Sequence, residues 1–228
     1  MALPRTIALD GPAGSGKSSV ASALASDLDY LFVDTGAFYR AVTLAALRQG
    51  QVEADDATLV TIAEQCHMDI TPERDDDARE YTLLLNSEDV TWAIREPQVE
   101  AHVSRVSAIG GVRDVLNEKY RTLAASGRVI MVGRDIGTVV LPDADLKIYL
   151  DASAETRAQR RQLQRIAAGK QADYEEILTA LRERDTYDSQ RAVAPLRPAT
   201  DAIHVNTDAL DVEAVVKQLR HMILNWKP

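Results

Sequence analysis

Apolar residues form short continuous runs, which alternate with longer segments where they recur every three or four positions. Continuous runs are typical of strands buried on both faces of a parallel sheet, and their alternation with helical patterns is typical of βαβ units. The pattern therefore predicts an α/β fold with a five-stranded parallel sheet flanked by helices. The predicted strands are Thr6–Leu9, Leu31–Val33, Val129–Val132, Leu146–Leu150 and Ile203–Val205.

The interval from about 66 to 97 breaks this alternation. Its strand-like segments are His67–Ile70, Tyr81–Leu85 and Asp89–Thr91. Turn-forming residues separate them at Pro72-Glu73-Arg74 and Asn86-Ser87, and Pro97 follows the last segment. Short strands joined by turns indicate a small antiparallel insertion that Pro97 closes.

Length and composition limit the class of protein. The 228 residues suit one good-sized domain with a small insertion. The apolar and charged fractions, 46% and 27%, are near those of globular proteins, which excludes collagenous and disordered classes. No apolar run approaches the ~18 residues of a membrane span, and no secretory signal is visible at the N-terminus. We expect a cytoplasmic protein without a membrane partner.

The negative charge is concentrated in one segment. Residues 53–80 carry ten acidic side chains against two arginines, which accounts for −8 of the net charge of −9. An acidic chain lacks the basic face that a nucleic-acid backbone requires, although a few arginines can still form a basic cleft for a small phosphorylated ligand. The acidic segment shows no apolar stripe for a second copy, so we expect a monomer.

Cysteine and histidine usage indicates neither a disulfide framework nor a protein-ligated metal centre. Cys66 is the single cysteine, and it is interpreted as a small buried residue. The four histidines have no zinc-site spacing.

A phosphate-binding motif follows the first predicted strand. The pattern G-x-x-x-x-G-K-[ST], preceded by a strand and followed by a helical pattern, is the context in which this loop wraps backbone N–H groups around phosphates. It predicts ATP binding, with Lys17 reaching the β- and γ-phosphates and the Ser18 hydroxyl binding Mg²⁺. The predicted nucleotide-binding residues are Gly11, Pro12, Ala13, Gly14, Ser15, Gly16, Lys17, Ser18 and Ser19.

A cluster of arginines follows the fourth predicted strand, at Arg157, Arg160, Arg161 and Arg165. Their spacing places like charges on one helical face, which costs about 0.2–0.5 kcal/mol per neighbouring pair in an isolated helix. We therefore expect this helix to meet an anion, and we interpret it as a mobile lid over phosphates that ends near Gly169.

Charged residues also follow two other predicted strands. Arg134 and Asp135 come directly after the third, and Asp34 begins a segment that reaches Arg40 after the second. In open parallel sheets ligands bind beyond the carboxyl ends of the strands, so both segments suit chemistry. A further set, Arg184, Asp188 and Arg191, shares a helical face, although its spacing alone favours a surface salt-bridge ladder.

Taken together, these segments resemble the bacterial cytidylate kinases of the nucleoside monophosphate kinase group. The resemblance extends over nearly the whole chain. It is carried by Gly11–Ser19, Asp34–Arg40, Gly133–Val140 with Pro142–Ala144, Lys147–Ser153, Glu183–Asp185 and Arg191–Pro195.

The resemblance implies a three-layer P-loop fold that transfers the γ-phosphoryl group of ATP, with Mg²⁺, to CMP or dCMP. Core segments would be 1–34, 106–153 and 170–228, with a monophosphate-binding domain at 35–105 and a lid at 154–169.

The resemblance also implies individual roles. Arg40 and Arg134 would hold the acceptor phosphate, with Thr35 and Tyr39 lining that site. Ser104, Arg113 and Asp135 would bind the cytosine edge. Asp188 would bind the sugar hydroxyl, with Arg184 and Arg191 between sugar and phosphates, and Arg157, Arg160 and Arg161 would cover ATP. The residues expected to act on the transferring group are Lys17, Arg134, Arg157, Arg161 and Arg191.

Three alternatives remain at this stage. The first is a kinase of the same fold with another acceptor, such as UMP, dTMP or shikimate. The second is a regulatory protein that hydrolyses GTP slowly, although the chain lacks an N-K-x-D segment to bind guanine. The third is a structural α/β domain, which would leave the glycine-rich loop and the strand-end charges unexplained.

Overall fold

The computed structural model describes residues 3–71, 77 and 79–227. Strands and helices alternate along most of this length. Their bounds are β1 Thr6–Asp10, α1 Lys17–Leu28, β2 Leu31–Asp34, α2 Thr35–Arg48, α3 Asp56–Gln65, β3 Met68–Thr71, β4 Thr82–Leu85, β5 Glu88–Asp89, α4 Pro97–Ala108, α5 Gly110–Ala125, β6 Val129–Gly133, β7 Leu146–Asp151, α6 Ala154–Ala167, α7 Tyr174–Gln190, β8 Ile203–Asn206 and α8 Val212–Leu224.

The main sheet is parallel throughout and has the strand order β2-β6-β1-β7-β8. β1 lies at its centre, and Ile7 and Leu9 of that strand are almost fully buried. Burial on both faces explains the continuous apolar runs of β1, β2, β6 and β7, whereas in β8 only Val205 is buried. All five predicted strands are confirmed, each extended by one residue at its carboxyl end.

A second sheet interrupts the alternation, as expected. β3, β4 and β5 pair antiparallel, with Ile70 opposite Leu83 and Leu84 opposite Asp89. The third strand was expected at Asp89–Thr91 but is Glu88–Asp89, because the Thr91 hydroxyl already accepts the Leu83 N–H at 2.9 Å. The left-handed φ angles at 86 and 87 confirm the second turn, whereas the turn expected at 72–74 lies outside the described residues.

Several helix termini have local causes in the sequence. Asp34 caps α2 by accepting the Gly36 N–H at 3.0 Å, and Asp173 caps α7 by accepting the Glu176 N–H at 2.9 Å. Pro97 occupies the first turn of α4, where a missing N–H is tolerated. The boundary expected at residue 105 falls inside this helix, three residues before its end.

Candidate phosphotransfer site

The glycine-rich loop lies at the carboxyl end of β1 and runs into α1. Gly11 adopts a φ of 149°, and a Cβ added there would lie 2.0 Å from the Leu150 carbonyl oxygen of β7. Glycine is therefore required for the loop to pass this close to the neighbouring strand. Gly14 and Gly16 also have left-handed φ angles, which aim the loop toward the N-terminus of α1.

Lys17 is buried within this loop rather than extended into solvent. Its Nζ donates to the Pro12 carbonyl at 2.6 Å and to Ser15 Oγ at 3.3 Å. Burial, and then the charge of Arg134, lowers the pKa of Lys17 well below its usual value. An anion placed beside this ammonium group would reverse that shift by stabilising the charged form.

An oxygen-lined position adjoins the loop. Ser18 Oγ donates to Asp34 Oδ2 at 3.2 Å, while the other oxygen of that carboxylate caps α2. A hydroxyl and a carboxylate at this separation are the hard oxygen ligands that Mg²⁺ prefers. The described residues contain no cluster of three or more His, Cys, Asp or Glu suited to a metal ion, so such an ion would take further ligands from phosphate or water.

The loop forms one end of a cleft of about 790 Å³. Every predicted site residue lines this cleft except Gly11, Pro12 and Ser104. Gly11 and Pro12 are linked to the cleft by hydrogen bonds from side chains that line it. Arg134 donates to the Gly11 carbonyl at 3.3 Å, and Lys17 donates to the Pro12 carbonyl. Ser104 is half-buried outside the lining, and Ser107, one turn further along α4, lines the cleft instead.

The charged residues after β6 are linked to the end of α7. Arg134 Nε donates to Asp188 Oδ2 at 2.9 Å, and Arg191 lies 3.9 Å from the other oxygen of that carboxylate. Asp135 forms a buried ion pair with Arg113 and lies 3.5 Å from Arg191. The cleft therefore includes Arg184, Asp188 and Arg191, whose spacing alone favoured a salt-bridge ladder on the surface.

Four polar atoms on residues that line the cleft are buried without a hydrogen-bond partner among the described residues. They are Tyr39 Oη, Arg113 Nε, Arg184 Nε and Arg191 Nη2. Buried donors are normally satisfied, so an unpaired group calls for a ligand or water. Three of the four belong to guanidinium groups, which indicates that this ligand is anionic or rich in acceptors.

The arginines of α6 fall into two groups, those that bind other parts of the protein and one that faces the cleft. Arg157 is buried, pairs with Asp185 at 2.6 Å and donates to the Ala13 carbonyl of the loop at 3.0 Å. Arg160 donates to Thr207 Oγ1 at 3.1 Å. Arg161 remains half-exposed toward the cleft. Ion pairs and hydrogen bonds within the protein therefore offset part of the repulsion between these arginines, from which we expected a bound anion.

Sequence reasoning missed two acidic groups of this site. Glu100 of α4 lies between three arginines of the cleft. Asp10, the last residue of β1, accepts the N–H groups of Ile136 and Gly137 at 2.8 and 2.7 Å. Asp10 could have been found by its place directly before the loop. Glu100 has no comparable signal, since it is one acid among several in an amphipathic helix.

A glycine-rich loop between a central parallel strand and a helix, with cationic side chains converging on it, defines a P-loop phosphotransferase. The cytidylate kinase family model matches residues 7–225. The chain belongs to the cytidylate kinase family.

Individual relatives cover nearly the same length. The chain is 44% identical over 223 residues to a cytidylate kinase of Herpetosiphon aurantiacus, covering 98% of this chain and 96% of that protein. It is 47% identical over 210 residues to a cytidylate kinase of Chloroflexus aggregans, covering 92% and 90%. A solved structure of an uncharacterized protein from Eubacterium ventriosum shares the fold, with a TM-score of 0.51, 13% identity and coverage of 97% and 99%.

No helix in the described ranges is both long and apolar enough to cross a membrane.

Proposed function

We propose that this protein transfers the γ-phosphoryl group of ATP to CMP or dCMP, giving ADP and CDP or dCDP. The observation that carries the proposal is the set of buried guanidinium nitrogens without a hydrogen bond, on arginines that line the same cleft as a complete phosphate-binding loop. Two anionic ligands would fill this arrangement, and the names of the relatives identify the acceptor class.

The reaction needs positioning and charge neutralisation more than proton transfer. The attacking oxygen of the acceptor phosphate already carries negative charge, so no general base is required. Lys17 would hold the β- and γ-phosphates, while Arg40 and Arg134 hold the acceptor phosphate in line. Arg161 and Arg191 would stabilise charge on the transferring group. Arg157 supports these contacts by fixing the loop through the Ala13 carbonyl.

Ser18 and Asp34 would hold Mg²⁺, either directly or through water. When bound, the ion would neutralise charge on the β- and γ-phosphates. Their hydrogen bond of 3.2 Å keeps both oxygens close enough to share one cation, which supports this assignment.

The acceptor side of the cleft would bind the nucleoside. The Arg113–Asp135 pair offers a donor and an acceptor fixed by burial, as recognition of a base edge requires. Ser107 lines the cleft and Ser104 does not, so in this conformation the hydroxyl available to a bound base is that of Ser107. Asp188 would bind the sugar hydroxyl, beside Arg184 and Arg191.

Three further assignments belong to the same proposal. Residues 35–105 would form the monophosphate-binding domain and 154–169 the lid, with the core as expected from the sequence. The lid bounds are supported by α6, which ends at Ala167, and by the left-handed Gly169 beyond it. We also propose a cytoplasmic monomer.

The test is an ADP-release assay with ATP and Mg²⁺ that compares CMP, dCMP, UMP, AMP and dTMP. We expect high turnover with CMP and dCMP only, and a loss of several orders of magnitude for Lys17→Ala with a normal unfolding curve. A preference for UMP or dTMP would retain the phosphate chemistry and refute the base assignment. No turnover with any acceptor would refute the proposal.

A further inference from the structure

One carboxylate in the cleft contacts cationic side chains from three different helices. Glu100 Oε2 of α4 lies 2.6 Å from Arg40 Nη1 of α2. Its Oε1 lies 2.7 Å from Arg184 Nη1 of α7 and 3.7 Å from Arg161 Nη2 of α6. Glu100 therefore joins the monophosphate-binding half to both helices that carry the arginines above the loop.

These three arginines depend on Glu100 for counter-charge. Within the described part of the chain, no other carboxylate forms an ion pair with Arg40, Arg161 or Arg184. Burial lowers the pKa values of Arg161 and Arg184, and the positive charge of Arg40 lowers both further. A half-buried carboxylate at the centre is what allows the three guanidinium groups to converge.

The cluster retains net charge for a ligand. Three guanidinium groups and one carboxylate leave two positive charges, which is the charge that a phosphate dianion neutralises. Arg184 Nε is also one of the buried donors without a partner, so this arginine keeps a free hydrogen bond while it is paired with Glu100. The three arginines are therefore already gathered, and they still have positive charge and a hydrogen-bond donor left for a ligand.

We propose that Glu100 is a positioning residue, which holds Arg40, Arg161 and Arg184 together before the acceptor nucleotide binds and then competes with its phosphate for them. The identification of that phosphate as part of CMP rests on the proposed function. Before the nucleotide binds, the Glu100 carboxylate pairs with the arginines in place of the phosphate and keeps them together. When the phosphate enters the cleft, it displaces Glu100 from them.

The proposal predicts an effect opposite to that of a merely structural ion pair. A negative charge beside an anion site weakens anion binding, so removing it strengthens binding. Burial opposes ionisation of Glu100, yet the three arginines, Arg40 foremost, lower its pKa to about 2, so the charge is present at every working pH. Loss of a structural contact would instead scatter the arginines and weaken binding.

The experiment measures CMP binding without ATP by titration calorimetry, in the wild type and in Glu100→Gln. The amide keeps the shape and removes the charge, and we expect a Kd about tenfold lower. The CMP-induced rise in Tm should also be larger in the variant, because tighter binding stabilises the folded state more. In steady-state kinetics KM for CMP should fall while kcat does not rise.

Control variants separate charge from packing. Glu64→Gln, on α3, removes an exposed carboxylate that has no ion pair among the described residues and should leave Kd unchanged. Glu100→Asp keeps the charge and should restore Kd toward the wild-type value. Glu100→Ala removes the charge together with the oxygens that gather the arginines, so it should bind CMP more weakly than Glu100→Gln does.

Unchanged or weaker binding of CMP by Glu100→Gln would overturn the inference. If the wild type binds no CMP, the proposed acceptor is wrong, and the same titrations with inorganic phosphate decide the role of Glu100. Tighter phosphate binding by Glu100→Gln then supports the inference, and equal or weaker binding refutes it.

Discussion

Asp10 is a carboxylate whose protonation should affect the stability of the fold. It is buried at the end of β1, and burial raises its pKa from 3.8 to about 6 despite two hydrogen bonds from backbone N–H groups. The folded state therefore binds a proton more tightly than the unfolded state. The resulting stabilisation is complete below pH 4 and is lost as the pH rises through 6.

The shift corresponds to about 3 kcal/mol between the two limits. We expect Asp10→Asn to lower the free energy of unfolding by an amount that is larger at pH 4 than at pH 7.5, because the variant lacks this part of the pH dependence. Urea unfolding of both proteins between pH 4 and pH 7.5 measures it, because the other titrating groups cancel in the difference. Parallel stability curves for the two proteins would contradict the assignment.

Individual residues differ in how far the sequence predicts them. The position of Lys17 at the cleft follows from the glycine-rich motif, and that of Arg134 from its place after a strand, since all the strands of a parallel sheet direct their carboxyl ends to one edge. Glu100 could not be placed, because its partners come from α2, α6 and α7 and converge only in the tertiary structure. Ser104 and Ser107 are separated by one helical turn, a distinction that the resemblance does not resolve.

At the scale of elements, the contact between the glycine-rich loop and β7 can be tested separately from the chemistry. In Gly11→Ala the new Cβ would meet the Leu150 carbonyl oxygen, a backbone atom that cannot move without disturbing the strand. The loop should shift away instead. We expect MgATP binding to weaken by at least about tenfold, equivalent to 1.4 kcal/mol, with the sheet still folded.

The matched control is Gly50→Ala. Gly50 also has a left-handed φ, of 66°, but a Cβ there would meet nothing within 4 Å. This variant carries the same kind of backbone strain away from the loop, so it should lose stability and bind MgATP normally. Calorimetric titration of MgATP into both variants makes the comparison, and equal affinities would show that the loop tolerates a side chain.

Elements were predicted best where burial is two-sided. Four of the five core strands are buried on both faces and follow directly from continuous apolar runs, the exception being β8, where only Val205 is buried. In contrast, β5 is two exposed residues whose position is set by pairing with β4. The cap of α7 by Asp173 acts within one turn, so it is a local feature of the sequence. The packing of α6 on α7 could not be predicted, since it joins Ala158 to an apolar cluster on α7 and Arg157 to Asp185, contacts that form only in the tertiary structure.

On the scale of the whole molecule, a chain of net charge −9 must attract two polyanionic substrates. It can do so because the acidic side chains are concentrated at 53–80, while arginines from α2, α5, α6 and α7 line one cleft. A cleft lined by one sign of charge determines the electrostatic potential that a substrate meets there more than the net charge of the protein does.

The same division of charge suits a lid that closes when both anions are present. The first part of α6 is fixed by Arg157 and Ala158, which are buried, whereas residues 163–170 are exposed. Leu163 is 66% exposed and borders the cleft, so closure would cover an apolar side chain as well as neutralise arginines. Segments with few buried contacts open most readily and gain most from ligand contacts.

We therefore expect amide hydrogen exchange at 163–169 to slow by about tenfold or more when CMP and a non-hydrolysable ATP analogue bind together, with little change in β1 and β6. CMP alone should protect α4 and α5 but leave this part of α6 exchanging as in the free protein. Mass-spectrometric exchange resolves the segments in one experiment. Equal protection of α6 and the sheet would indicate global stabilisation rather than closure, and unchanged exchange in α6 would rule out a lid.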